Sequence, residues 1–344
     1  MKPSYRRTSY PSLSRVRGLS LIELMISLVL GLIVVAGAGA IFISNRQTYT
    51  ATDSLGRVQE NARVAFELMA RDVREAAGNP CAKNLPVADV LNNSGTTWWA
   101  NWSDGVVGYD GNVAMSGNAF GTGKEERVAG TDAIELKSGG TGGTTVVKHV
   151  PTSAQFEVNT VNHGLNDSDI ALICDFRQAA IFQVTNAQPG TNTTVVHNDS
   201  KTAVPGNCSK GLGIPTDCVG PNGTPYQYGP NSVIVKLSAT RWYIGYNDRG
   251  GMSLFQSVLQ NNAGDVKPIN QEIAEGVTNM TLTYLVPNQA NYVDASVVTA
   301  NSQWKDVRAV RIEVDMAGQE KVGTDRSVLK RKLAHVATLR NRVL

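Results

Sequence analysis

The hydrophobic pattern of the chain changes character at Gly18. Upstream, residues 1–18 are polar and basic; downstream, an apolar run opens at Leu19 and carries a single carboxylate, Glu23, at its fifth position. From Leu24 to Ile43 no charge occurs, and as a helix rising about 1.5 Å per residue that stretch spans roughly 30 Å, the thickness of a bilayer's hydrocarbon core. Beyond Ser44-Asn45-Arg46 the pattern becomes amphipathic. Leu55, Val58, Ala62, Ala65, Phe66, Met69, Val73 and Ala76 recur at three- and four-residue steps, while Arg57, Glu60, Arg63, Glu67, Arg71 and Glu75 fill the other faces. Gly78-Asn79-Pro80 ends the periodicity with a cap residue and a residue that cannot continue the ladder. The pattern therefore predicts one helix from Leu19 to Ala77, close to about 90 Å long, with Gly31, Gly37 and Gly39 as points of bending or local melting.

The rest of the chain reads as β structure. From Cys81 to about Thr131 it is rich in Gly, Asn, Ser and Thr, a long loop region in which Trp98, Trp99 and Trp102 are expected to be buried anchors. Short β-rich runs follow at Ala133–Leu136, Thr145–Val150, Gln155–Val158, Asp169–Cys174 and Ala180–Val184. A Gly/Pro/Asn-rich insertion occupies about 186–230. Ser232–Leu237, Arg241–Tyr246 and Ser253–Leu259 then form a meander, with a hairpin turn at Asn247–Gly251. Thr281–Val286, Val307–Asp315 and Leu329–Thr338 close the domain, and the alternation from Val307 to Val314 predicts a strand with one wet face.

Glu23 is the anomaly in this pattern. An ionised carboxylate inside a membrane segment costs about 3 kcal/mol even on lenient insertion scales, so a partner is expected. A cut between Gly18 and Leu19 would supply one, since the new amino terminus lies one helical turn away or arrives from a neighbouring copy of the helix. The sequence Arg17-Gly18-Leu19-Ser20-Leu21-Ile22-Glu23 resembles the class III signal of type IV pilins and type II secretion pseudopilins. That resemblance implies an inner-membrane prepilin peptidase that cleaves after Gly18 and N-methylates Leu19. An ordinary signal peptide cut near Ala38-Gly39-Ala40 would need about forty residues with an acid in its apolar region, and a plain single-pass anchor leaves Glu23 unexplained.

Net charge, +3 over 344 residues, sharpens the orientation. Lys2, Arg6, Arg7, Arg15 and Arg17 more than account for it, so the basic balance marks a cytoplasmic N-terminus and is no sign of nucleic-acid binding. The four cysteines, Cys81, Cys174, Cys208 and Cys218, fit an oxidising compartment. Three pairings are possible, free thiols remain an alternative, and Cys208–Cys218 with Cys81–Cys174 is favoured. None has a C-x-x-C spacing, so no metal or redox site is expected. His149, His163, His197 and His335 are scattered, and Gly121-Thr122-Gly123-Lys124 lacks the spacing and Ser/Thr of a phosphate loop. With no nucleophile elbow and no catalytic constellation, no enzyme activity and no cofactor are expected.

Four further segments, Ile170–Val184, Gln271–Tyr284, Trp304–Val314 and Ala337–Arg342, are similar to stretches of PilW-type minor pilins. The Glu275-Gly276-Val277 segment with the Val307–Ile312 strand is also similar to the J-type pseudopilins of type II secretion. The resemblance implies an α+β, pilin-like fold: a long N-terminal α-helix packed on a mainly antiparallel sheet with loop-rich insertions. It divides the chain into a leader (1–18), a transmembrane and assembly half-helix (19–44), an amphipathic half-helix (45–77) and a periplasmic β-rich domain (78–344). The implied role is a structural minor pilin that primes or caps a type IV pilus within a tip complex. Its implied partners are the prepilin peptidase and, through the N-terminal helix, other minor pilins, the major pilin and a tip adhesin. A J-type pseudopilin and a tip-displayed adhesin using the 81–131 and 186–230 loops are the alternatives.

Overall fold

The computed structural model describes residue 18 and residues 20–82, 85–102, 104–140, 142–321 and 327–342. Its first element is α1 (Leu21–Glu75), which is helical throughout, Gly31, Gly37 and Gly39 included, so the local melting expected there does not occur. The chain divides into two compact units between Asp53 and Ser54.

Among the described residues of the second unit there are a short helix α2 (Ala295–Ala300), single 3-10 turns at Pro151–Ser153 and Trp304–Asp306, and fifteen strands. They are β1 (Val87–Asp89), β2 (Val106–Tyr109), β3 (Ala133–Gly139), β4 (Thr144–Val150), β5 (Gln155–Val158), β6 (Ile170–Cys174), β7 (Ala179–Gln183) and β8 (Asn186–Ala187). After β9 (Thr194–Val196) come β10 (Val233–Tyr246), β11 (Met252–Asn262), β12 (Asp265–Glu275), β13 (Val277–Leu285), β14 (Ala309–Ala317) and β15 (Lys330–Thr338). Twelve of them form one sheet and β13-β14-β15 a second, and only the β1–β7 pair is parallel among the described pairings.

The large sheet is organised on β10. Its first residues, Val233–Lys236, pair with β6, and Val233 and Ile234 also pair with β4; from Leu237 onward it pairs with β3 and then β11. The expected break between Leu237 and Arg241 is absent because Ser238, Ala239 and Thr240 continue the ladder opposite Ser138, Lys137 and Leu136. One strand thus serves two blocks of partners.

The second half of α1 buries the predicted stripe. Val58, Ala62, Ala65, Met69, Val73 and Ala76 are all buried against Trp242, Leu282, Tyr284, Ile312 and Val314, in a core shared by both sheets. Five of these six helix residues, all but Met69, are small or β-branched, which lets the backbone come close. Phe66 stacks on His335 of β15 at 5.6 Å. At the helix end Ala77, at φ 56, adopts the left-handed cap conformation, and its amide donates to the Lys137 carbonyl at 2.7 Å. Gly78 serves space instead: a Cβ there would lie 2.4 Å from Asn341 Nδ2 and 2.8 Å from the Glu75 carbonyl.

Disulfides join Cys81 to Cys174 and Cys208 to Cys218. The first ties the segment after α1 to the end of β6, and the second closes a loop within the insertion. Trp99 is buried and Trp98 and Trp102 are half-buried, all three packed with β6, β7 and β10.

Candidate assembly segment and its supports

Gly18 is exposed, and Leu19 and the leader residues 1–17 lie outside the described residues. Ser20 starts the helix as its cap. Its hydroxyl accepts the Glu23 amide at 3.2 Å and its carbonyl accepts the Leu24 amide at 3.1 Å. Ser20-Leu21-Ile22-Glu23 thus has the S-x-x-E form of a capping box, a signature legible in the sequence that the charge argument passed over. The Glu23 side chain is exposed, and among the described residues it forms no ion pair.

From Leu21 to Ile43 the large apolar side chains are solvent-accessible, with Leu21 at 79% and Phe42 at 68%. The helix is long and apolar enough to cross a membrane. Four hydroxyls turn inward on their own backbone: Ser27 donates to the Glu23 carbonyl at 2.7 Å, and Thr48, Thr50 and Thr52 each donate to the carbonyl four residues earlier. These side chains therefore ask nothing of their surroundings, which suits an apolar setting.

Within the second unit, Asp72 fixes the register of α1 on the sheet. Its Oδ2 accepts Trp242 Nε1 at 2.9 Å and Gln256 Nε2 at 2.9 Å, and burial raises its pKa. Sequence reasoning placed no role on Asp72. Its position three residues after Met69, on the edge of the buried stripe, was the available signal.

A buried charge cluster braces Trp98, Ser116 and strand β2 between them on β3 and β10. Arg241 donates through Nε to Glu135 Oε1 at 2.8 Å and again through Nη2, while Nη1 reaches the Ser116 carbonyl at 2.6 Å. Lys137 Nζ lies 3.3 Å from Glu135 Oε2, and the Tyr109 hydroxyl donates to Oε1 at 2.9 Å. The Arg241 guanidinium also sits 4.0 Å over the Trp98 ring. Arg127, fully buried, holds the neighbouring 109–131 loop by donating to the carbonyls of Val113, Asp110 and Thr131. In the turn at Gly121–Lys124, the Glu126 carboxylate accepts the Gly123 amide at 2.7 Å, so an acid occupies the place where a phosphate loop would cradle its anion.

Two of the scattered histidines meet in the core. His149 on β4 and His197, one residue past β9, lie 3.2 Å apart through their Nε2 atoms, caged by Phe156, Phe182 and Tyr228. The Tyr228 amide donates to His149 Nδ1 at 3.1 Å, which leaves that nitrogen no room for a proton. Burial pushes His149 down to about 4 and His197 well below its ordinary value, where the neighbouring His149 and Lys210 charges act in the same direction. A histidine whose folded pKa is depressed contributes stability above its unfolded pKa, near 6.5, and loses it as pH falls. Between about pH 6.5 and 4, His149 alone should cost the folded state about 3 kcal/mol. Urea unfolding of the full chain in neutral detergent across that range should show the decline, and His197→Phe should flatten part of it; a flat profile in the parent chain would contradict the buried neutral pair.

The N-terminal segment and the β domain each match a family. Residues 13–39 match the prokaryotic N-terminal methylation motif, which defines the class: proteins with a pilin-type N-terminus. Residues 241–338, from Arg241 and Trp242 on β10 to the end of β15, match the family of type IV pilus-assembly protein W. Together with the long apolar helix and the antiparallel sheets, the two matches support a PilW-type pilin, a minor pilin of type IV pili. No curated protein matches the chain.

Proposed function

We propose that the protein is a minor pilin that primes or caps pilus assembly within a tip complex. Residues 1–18 act as a leader that a prepilin peptidase removes between Gly18 and Leu19, methylating the new terminus. Residues 19–44 then hold the chain in the inner membrane with the N-terminus cytoplasmic and residues 78–344 periplasmic, until the helix leaves lipid and packs against the helices of other minor pilins and the major pilin. The half-helix of residues 45–77 anchors the domain through Asp72 and the buried stripe. The role is structural.

The observation that carries this reading is the exposed apolar face of α1, with one acid at the fifth place after Gly18 and, within its apolar run, the Ser27 hydroxyl satisfied on its own backbone. An unpartnered apolar surface of this length needs lipid or other helices to cover it. Gly18→Ala tests the processing step, because the added methyl obstructs the peptidase; among the described residues a Cβ at Gly18 meets no atom within 4 Å. In cells the variant should persist as the uncut precursor, and a mature chain starting at Leu19 would overturn the peptidase assignment.

A further inference from the structure

β15 is the outer strand of the β13-β14-β15 sheet, nine residues long, and among the described residues only β14 pairs with it. Its register with β14 runs from Lys330 to Thr338 without a bulge, and it contains no proline. Such an edge carries a row of outward amides and carbonyls able to accept another strand. Beyond its last residue, Thr338, a groove of about 680 Å³ opens between the end of α1 and the glycines Gly139, Gly140, Gly142 and Gly143, lined by Arg71, Arg74 and Arg340. Glu75 is the one acid on that lining, and it is occupied by Arg71 at 3.3 Å. The start of the strand is also basic, at Lys330 and Arg331, while Lys332 is held by Glu313 of β14 at 2.9 Å.

The charges select the occupant. Parallel pairing with a second copy would set Lys330 and Arg331 beside their own copies. Antiparallel pairing would set them beside the Thr338–Arg340 end and its one arginine, Arg340. Like charges directly opposite are destabilising in either case, so the edge is closed to itself and open to an acidic strand. We propose that the free edge of β15 and the arginine-lined groove beyond Thr338 form one docking surface for an extended acidic segment of another protein, added as a fourth strand. That this protein is another subunit of the pilus rests on the functional reading above; the chemistry of the surface does not.

The test uses the full chain in neutral detergent and a labelled peptide of about nine residues, the length of β15, alternating glutamate with valine and threonine. Its control carries N-methyl groups on alternate amides, which keeps the charge and removes the strand hydrogen bonds. Binding of the first peptide should slow amide exchange within residues 330–338, and the methylated peptide should bind about tenfold or more weaker. The variants K330E/R331E and R74E/R340E, all at exposed side chains, should each weaken binding by a similar factor while the unfolding midpoint stays in place. Equal binding of both peptides, protection away from β15, or no binding would overturn the docking surface. Correct maturation at Gly18 in the same preparation would leave the pilin reading standing, so the two fail separately.

Discussion

Replacing Glu135 with leucine should destabilise the β domain by about 3–5 kcal/mol, the cost of removing one partner from a buried charge pair. Glu135 is the only carboxylate contacting Lys137 and Arg241 among the described residues, and both cationic side chains are 2% exposed. Without it, two cations face each other in a low-dielectric interior. Arg241 keeps the Ser116 carbonyl and the Trp98 ring, and a desolvated cation–π contact returns about 2 kcal/mol. Lys137 has an escape, since burial already lowers its pKa and it can shed its proton. Arg241 has none, so the loss should fall mainly on the loop residues flanking β2 that Arg241 and Tyr109 brace. Trp98, Trp99 and Trp102 lie among or beside those residues, so tryptophan fluorescence during urea unfolding of the full chain reports the loss directly. The double variant Glu135→Met with Arg241→Met should recover part of the loss, because two apolar residues of similar length leave no unpaired charge except Lys137. A shift under about 1 kcal/mol for Glu135→Leu would show that the cluster is hydrated and does not brace the residues flanking β2.

The second large effect belongs to Glu23. We propose that after processing its carboxylate pairs with the amino terminus of an adjacent subunit, so that neither charge stays alone among packed helices. Glu23→Leu should leave membrane insertion and cleavage intact, since it only makes the run more apolar. Incorporation into pili should fall about a hundredfold or more, the equilibrium equivalent of stranding one buried charge. The capping box gives a competing local role, in which Glu23 serves the first turn of α1. Glu23→Gln separates the two: glutamine serves a capping box as glutamate does, yet carries no charge. Loss of piliation in both variants supports pairing between subunits, while normal piliation in the glutamine variant would assign Glu23 to its own helix.

What the sequence made legible was local. The stripe from Val58 to Ala76 and the alternation from Val307 to Val314 became the buried face of α1 and strand β14, because periods of 3.6 and 2 are set by each element's own geometry. The expected strand pair Ser232–Leu237 and Arg241–Tyr246 became one strand, since Ser238–Thr240 find partners on β3 that no local pattern announces. β12 was not foreseen at all. Its residues are mostly polar, with Pro268 in mid-strand, and it survives as an edge held by β11. The His149–His197 contact spans 48 positions, and the Asp72–Trp242 bond 170, so neither leaves a periodic trace. Glu23 stood out for the opposite reason: its conflict is with its immediate neighbours, and a charge in an apolar run is visible without a fold.

The most direct measurement is the intact mass and N-terminal sequence of the protein taken from the envelope of cells that make it. The account predicts a chain beginning at Leu19 and carrying one added methyl group on its terminal nitrogen. A chain that retains residues 1–18, or one trimmed near Ala40, would contradict it, because Glu23 would then lack the new positive end or be gone altogether.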